Sequence, residues 1–394
     1  MLSRRLAFTS VMLIVLVGAT RVETARRPRY GGTLRVEIGA AVNSLDPAVR
    51  SANAEEFSAK AQIDALVYDH RNSDGTFTGA GPFRIAEWDP GKHLTLAANQ
   101  DYAGGRPFVD SIEIQMGRNV RDRLLDLEIG KADFAEIPPD QARRASDAGV
   151  RTSVSQSDDL VALVFVSGRP SAENARIREA MARSLDRTAM VSFILQKQGE
   201  PAGGLLPQWS DGTAFLFSIA PDVAHSKELW SQIGLSPGLV LGYDFGDSLD
   251  QSLAERIVVN ARDAGINVTA KAIPAARIAT VAPITAAKPG VDVQLVHWRM
   301  PSVSPEASLD QLLAALGPFS GTDAAPLPDG ASPELIYERE RTVVGSFRII
   351  PLMWLPQVYG LNARVKDWKP PAPGETWPLA DVWLDAPAGS AGVQ

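Results

Sequence analysis

The residues of this chain that can do chemistry are few in kind and poorly spaced for it. There is no cysteine, which removes thiolate nucleophiles, disulfides and cysteine-ligated metal sites. The four histidines, His70, His93, His225 and His297, form no HxxxH or HExxH pair, so their spacing predicts surface or strand positions rather than metal ligation. Gly234 to Gly238 satisfies G-x-S-x-G around Ser236, the pattern of a hydrolase nucleophile elbow. An elbow needs a strand before its serine and a helix after it. Here the order is reversed: residues 227–233 read as helix, the run from Leu239 reads as strand, and Pro237 follows the serine. A helix-ending glycine and a turn account for the match, and serine hydrolysis is set aside. Asp122, Asp126 and Glu128 stand beside Arg121 and Arg123 on a predicted helix, which reads as a solvated, ion-paired face. Neither Gly91 with Lys92 nor Gly130 with Lys131 has the upstream glycine of a phosphate loop, and Gly79 and Gly81 lack the third glycine of a dinucleotide fingerprint. No cofactor and no metal are expected.

The elements that must position any remaining function are those of an α/β chain. Residues 30–38 alternate apolar and polar as a strand, and residues 43–47 form a turn. Residues 54–70 carry Phe57, Ala61, Ala65 and Tyr68 at helical spacing, with Asn53 as a candidate N-cap. Phe83, Ile85 and Trp88 form an apolar set that breaks at Asp89, Pro90 and Gly91, and Leu94 and Leu96 alternate beyond it. Residues 120–130 read as a helix, and residues 161–166 as a buried strand. Ile177, Met181 and Leu185 mark another helix, and Asp186 caps the next one, residues 187–196. Residues 239–245, 249–264 and 266–272 make a βαβ unit, which implies a parallel pair of strands. Residues 291–298 form a further strand. The run 348–360 is apolar but carries Pro351 and Pro356, which predicts an edge or crossing segment over a central strand.

Several of these segments resemble, in order, the family 5 extracellular solute-binding proteins, the oligopeptide, dipeptide and nickel receptors of bacterial ABC importers. Residues 79–92, followed by 99–107, match the family pattern G-T-G-P-F-x-x-x-x-W-x-P-G and then N-x-x-Y-W-G-G-x-P. A G-G-T-L strand at residues 31–34 and an L-D-P turn at 45–47 match the start of the family's mature chains. Residues 131–139, 176–187 and 201–207 match three further family strings. The resemblance implies a two-lobed periplasmic-binding-protein fold of the peptide-receptor type, with a ligand cleft between α/β lobes. It divides the chain into lobe one at residues 29–155, lobe two at 156–344 and a return to lobe one at 345–385, with a disordered tail at 386–394. The stretch from 49 to 78 is short where relatives carry an extra subdomain, so most of that subdomain is expected to be absent.

The resemblance also points to a site. The family's strand ending in tryptophan is here Trp298, and the loop after it lines the cleft; Asn43, Trp298, Arg299 and Ser302 are the candidate ligand-binding residues. Arg299 suits a carboxylate or phosphate through its planar fork. Peptide-binding members place an aspartate three residues after the tryptophan, and this chain has Pro301 there, which counts against peptide recognition of that kind. The implied function is capture of a small solute (peptide-like, opine-like or a metal chelate) and delivery to an ABC permease, without catalysis, by a monomer. A non-transporting sensor or accessory protein acting on a protein partner is the alternative. Arg4 and Arg5 before an apolar stretch read as the start of a signal peptide within residues 1–25, and Thr20 stands where a lipidated cysteine would be, so a periplasmic or secreted, unlipidated protein is expected. A net charge of −7 counts against nucleic acid as a partner.

Overall fold

The computed structural model describes residues 27–385, apart from 47–48, 50–53, 69, 72–76, 79–80, 212, 235–237, 274–289 and 324. The expected leader and tail, the Asn53 cap and Ser236 lie outside the described residues. Ten strands carry the architecture: β1 (Thr33–Glu37), β2 (Phe83–Asp89), β3 (His93–Ala98), β4 (Ser111–Gln115), β5 (Phe134–Ile137), β6 (Arg151–Phe165), β7 (Leu239–Asp244), β8 (Val268–Ile273), β9 (Val293–Arg299) and β10 (Ile349–Leu361). They lie in one mixed sheet in the order β8-β7-β9-β6-β10-β5-β1-β4-β3-β2, with Glu200–Pro201 pairing onto β10. The helices that matter below are α1 (Ala54–Val67), α2 (Val120–Glu128), α3 (Ala175–Ser184), α4 (Arg187–Phe193), α5 (Val223–Ser231), α6 (Ser248–Asp263), α7 (Pro305–Ser320) and α8 (Pro333–Gly345).

Local chemistry explains these elements. In α6 the Asp247 carboxylate accepts from the backbone N–H groups of Leu249 and Asp250, while Leu253, Ile257 and Ala261 bury one stripe. The βαβ unit forms as expected, with β7 parallel to both β8 and β9. Asp186 caps α4 through the N–H of Ala189. Gly81 explains its place in the opening motif: a Cβ there would lie 2.6 Å from the Val67 carbonyl carbon, so only glycine lets β2 start against the end of α1.

The cores fall into two groups. Leu34, Val36, Ile63, Leu94, Ile114 and Phe134 pack with Tyr359, Trp368 and Trp377, and a satellite gathers Leu124, Leu127 and Val358. Residues 160–355 form two further clusters, one on each face of the sheet. Val161, Leu163 and Phe165 of β6 face one of them, and Leu160, Ala162 and Val164 face the other. Strand β10 contributes to both groups, and β6 pairs along it. Leu355 belongs to the second and Val358 to the first.

Three expectations change. The proline-bearing run is a central strand, flanked by β6 and β5; its register shifts fall at Pro351/Met353, Leu355/Pro356 and Pro356/Val358, so the prolines sit where the ladder is already interrupted. Ile85 is 43% exposed, and a bulge between Ile85 and Glu87 breaks the alternation on which the apolar set of β2 was read. The α2 face is not simply solvated: Arg123 and Asp126 are buried.

Candidate functional site

Strand β9 ends at Arg299, and Ser304 opens α7 by accepting from the N–H of Ala307, with Pro305 in the first turn. This puts the residue 300–303 loop at the mouth of the sheet, where ligands of α/β folds bind. Arg299 is half-buried, and its Nη1 donates to Ser58 Oγ on α1 at 2.9 Å. Helix α1 contributes Ala59, Ile63 and Leu66 to the first core group, whereas β9 belongs to the second. The bond therefore joins the two groups. Burial lowers the pKa of Arg299, but the charges of Asp158, Asp159 and Glu136 and the Tyr359 phenol outweigh it and leave the guanidinium pKa raised.

Beneath Arg299, Asp158 of β6 is 2% exposed, and its backbone carbonyl accepts from Met300 N at 2.7 Å. Gln357 Nε2 donates to Asp158 Oδ2 at 2.9 Å, and Tyr359 Oη donates to Gln357 Oε1 at 2.8 Å. Tyr359 is itself fixed by packing: its ring stacks on Phe134 at 5.5 Å and meets the Trp368 edge at 5.2 Å. Burial pushes the Asp158 carboxyl up to about 6, against the opposing pull of Arg299.

His297 lies one turn of the pleat away, at 5% exposure. Its Nε2 is 2.7 Å from Asp250 Oδ1 on α6, and its Nδ1 is 3.1 Å from Asp159 Oδ2. Burial lowers its pKa, but the two carboxylates and their hydrogen bonds dominate and raise it to about 10, so the ring is an imidazolium at neutral pH. It is a strand residue, as its spacing predicts, though a buried and charged one. Among the described residues no group of His, Asp and Glu is arranged to hold a metal ion.

The candidates are only partly brought together. Trp298 is 1% exposed and packs into the core with Leu309, Leu312 and Trp354, so its side chain serves packing and presents no surface to the mouth. Ser302 Oγ accepts from Ser304 N at 3.1 Å and shapes the entry to α7. A Cβ on Gly374, which has φ +82°, would collide with the Pro301 carbonyl and lie 3.5 Å from Ser302 Cα, so the C-terminal segment packs directly on this loop. Asn43 is exposed and tied to α1: its N–H and Nδ2 donate to Glu56 Oε1 at 2.8 and 3.2 Å. Arg299 and Asn43 thus meet the same helix at Ser58 and Glu56. Asp158, Gln357 and Ser58 escaped the sequence reading. Its one available signal was the pair Asp158–Asp159 directly before the apolar run of β6.

A second buried charge cluster lies across the sheet. Glu37, at the end of β1, has Arg118 Nε 3.7 Å from Oε1, and Asp126 receives Arg118 Nη2 at 2.7 Å and Lys131 Nζ at 3.3 Å. Burial, then the hydrogen bond and charge of Asp126, push Glu37 up to about 7 despite both cations.

One mixed sheet thus carries two core groups along β10, with a polar cluster where they meet. The model of the bacterial extracellular solute-binding proteins, family 5, matches residues 38–318, more than half of the chain, and the chain belongs to that family. "Protein XP55" of Streptomyces lividans is 30% identical over 204 residues, a match covering 48% of this chain and 38% of that protein, well under half its length. Among solved structures, the periplasmic binding protein DppA from Helicobacter pylori in complex with peptide STSA superposes with a TM-score of 0.70 at 14% identity, covering 91% of this chain and 99% of that one. NikA from Brucella suis in complex with Fe(III)-EDTA gives a TM-score of 0.65 at 17% identity, covering 77% and 68%. The expected two-lobed α/β fold is therefore present.

Proposed function

We propose that the chain is the solute-binding component of an ABC importer, closing two lobes on a small solute and presenting it to a membrane permease. The first core group with the chain from Val358 onward forms one lobe, and residues 160–355 form the other. The observation that carries the reading is the Arg299–Ser58 bond: a cation from one lobe meets a helix of the other. A solute anion entering there exchanges a neutral hydroxyl for a carboxylate on the same guanidinium, and that gain is realised only when the lobes are together. The solutes bound by the neighbours, a peptide in one and a metal chelate in another, support a peptide-like or chelate ligand. The protein acts in the periplasm or outside the cell, as a monomer, and breaks no bond in its solute. No helix among the described residues is long and apolar enough to cross a membrane.

Native mass spectrometry of the chain purified from periplasm without refolding tests this. A discrete added mass that leaves on denaturation is expected, together with its loss in Arg299→Ala. A bare protein mass, unchanged after incubation with periplasmic extract, counts against solute capture.

A further inference from the structure

We propose that residues 368–377 form a strap that clamps the residue 300–303 loop of the second core group onto the first, so that the two groups part only when the tip of the strap lifts from Pro301. Both ends of the strap are anchored in the first group. Trp368 and Trp377 are buried there, and each meets the Phe134 ring in a T-shaped contact, with centroids 4.7 and 5.3 Å apart. Between the anchors, Pro370, Pro371 and Pro373 fix the backbone and keep the segment stiff. The tip is a tight turn. Glu375 N–H donates to the Ala372 carbonyl at 2.9 Å, with Pro373 at the second position and Gly374, at φ +82°, at the third, the residues that a type II turn demands. Glu375 Oε2 accepts from the Ala372 N–H at 3.2 Å and braces the turn.

This tip is what meets the second group, through the close approach of Gly374 to the Pro301 carbonyl and Ser302 Cα. The loop beneath it belongs firmly to that group. Met300 N–H donates to the Asp158 carbonyl at 2.7 Å, and Ser308 Oγ of α7 donates to the Ser302 carbonyl at 2.8 Å. The strap has a further hold on the first group, since Trp377 N–H donates to Gln62 Oε1 at 2.7 Å. Gln62 lies one turn beyond Ser58 on α1, so one face of that helix takes both Arg299 and the strap. The two holds differ in kind. Water can replace the Ser58 hydroxyl on Arg299, whereas the tip blocks Pro301 by bulk. Gly374, Glu375 and Thr376 are exposed, so the tip can lift without opening the aromatic cluster that anchors its ends. On the solute-binding reading above, this lifting precedes entry of the solute; the clamp itself rests on no ligand.

The test uses the full chain, freed of any solute by partial unfolding and refolding, as wild type and as Gly374→Ala. The added methyl group opposes the positive φ and collides with Pro301, which displaces the tip. Spin labels at Lys92→Cys and Lys227→Cys, one in each group, are expected to give longer and broader pulsed-dipolar distances in Gly374→Ala. In the unlabelled chain, a glutamate-specific protease is expected to cut after Glu375 about tenfold faster in the variant, because cleavage follows the lifted population. Cutting at the buried Glu37 and Glu340, one in each group, is expected to stay at the wild-type rate. Should Gly374→Ala fail to fold, Glu375→Ala removes the brace on Ala372 and adds nothing at the tip; the same spin labels are expected to move apart in it. Unchanged distances, or unchanged cutting at Glu375, overturn the proposal. Faster cutting at Glu37 or Glu340 overturns it too, since the strap is then part of one core and not a clamp between two. None of these outcomes bears on solute capture, which the mass measurement decides separately.

Discussion

At His297 one ring holds two carboxylates that would otherwise repel each other, and the balance is read in pH. Its pKa of about 10 lies above the unfolded value of about 6.5, so the stabilisation is complete below pH 6.5 and is lost as pH rises through 10. Asp250→Asn removes one partner of a buried pair and is expected to cost about 3 kcal/mol in urea unfolding at pH 7. The gap between variant and wild type should narrow above pH 10, where the wild-type ring is neutral too. Glu37 has the opposite sign. Its carboxyl keeps its proton to about pH 7, while the unfolded carboxyl loses it near 4.5, so this group destabilises the fold as pH rises across that window. Glu37→Gln keeps a donor toward Asp126 and should gain about 2 kcal/mol at pH 8 and nothing at pH 4.5, measured by denaturant titration at both. Neither residue was legible as a buried charge. The histidine spacing counted against a metal but could not reveal Asp159 and Asp250, which arrive from β6 and α6, and Asp126 was read as solvated because its partner Glu37 lies on β1, far from α2 in sequence.

Elements whose pattern is local were readable, and elements defined by distant partners were not. The β7–α6–β8 unit follows from its own periodicity and its Asp247 cap. By contrast, residues 151–159 are mostly polar and read as no element, yet they are the first half of β6 because β10 pairs along them from some two hundred residues away. The burial of β9 on both faces is what misplaced Trp298: when nearly every residue of a strand is buried, alternation no longer says which side chain faces a cleft. The loop at residues 201–207 shows how an element can depend on one remote side chain. Glu340 of α8 accepts from the N–H groups of Leu205 and Leu206, the latter at 3.0 Å. Gly204 is needed beneath it, since a Cβ there would lie 2.5 Å from Glu340 Oε1. Glu340→Ala strands two buried donors and should cost about 2–4 kcal/mol, whereas Glu340→Gln, which keeps an acceptor, should cost less than half of that in the same unfolding titration.

For the whole molecule the question is what holds the lobes together before a solute does. Strand β10 runs through both core groups, and among the described residues the contacts between the groups include Arg299 to Ser58 and Gly374 against Pro301. Of these only the first couples a charge of one lobe to a helix of the other. A hydrogen bond to a charged group is worth about 1.5 kcal/mol net, enough to move an open–closed equilibrium roughly tenfold. Ser58→Ala should therefore shift the free protein toward open forms without unfolding either lobe. The chain has no cysteine, so Lys92→Cys on the β2–β3 turn and Lys227→Cys on α5 give one spin label per lobe with no background. Pulsed-dipolar distances between them are expected to lengthen and broaden in Ser58→Ala, and to return to the short, narrow distribution once solute is bound. That return is the informative half of the experiment. A solute that restores closure without Ser58 has taken over the Arg299 contact, whereas a distribution that stays broad with solute bound would mean that α1, and not the ligand, is what Arg299 is built to hold.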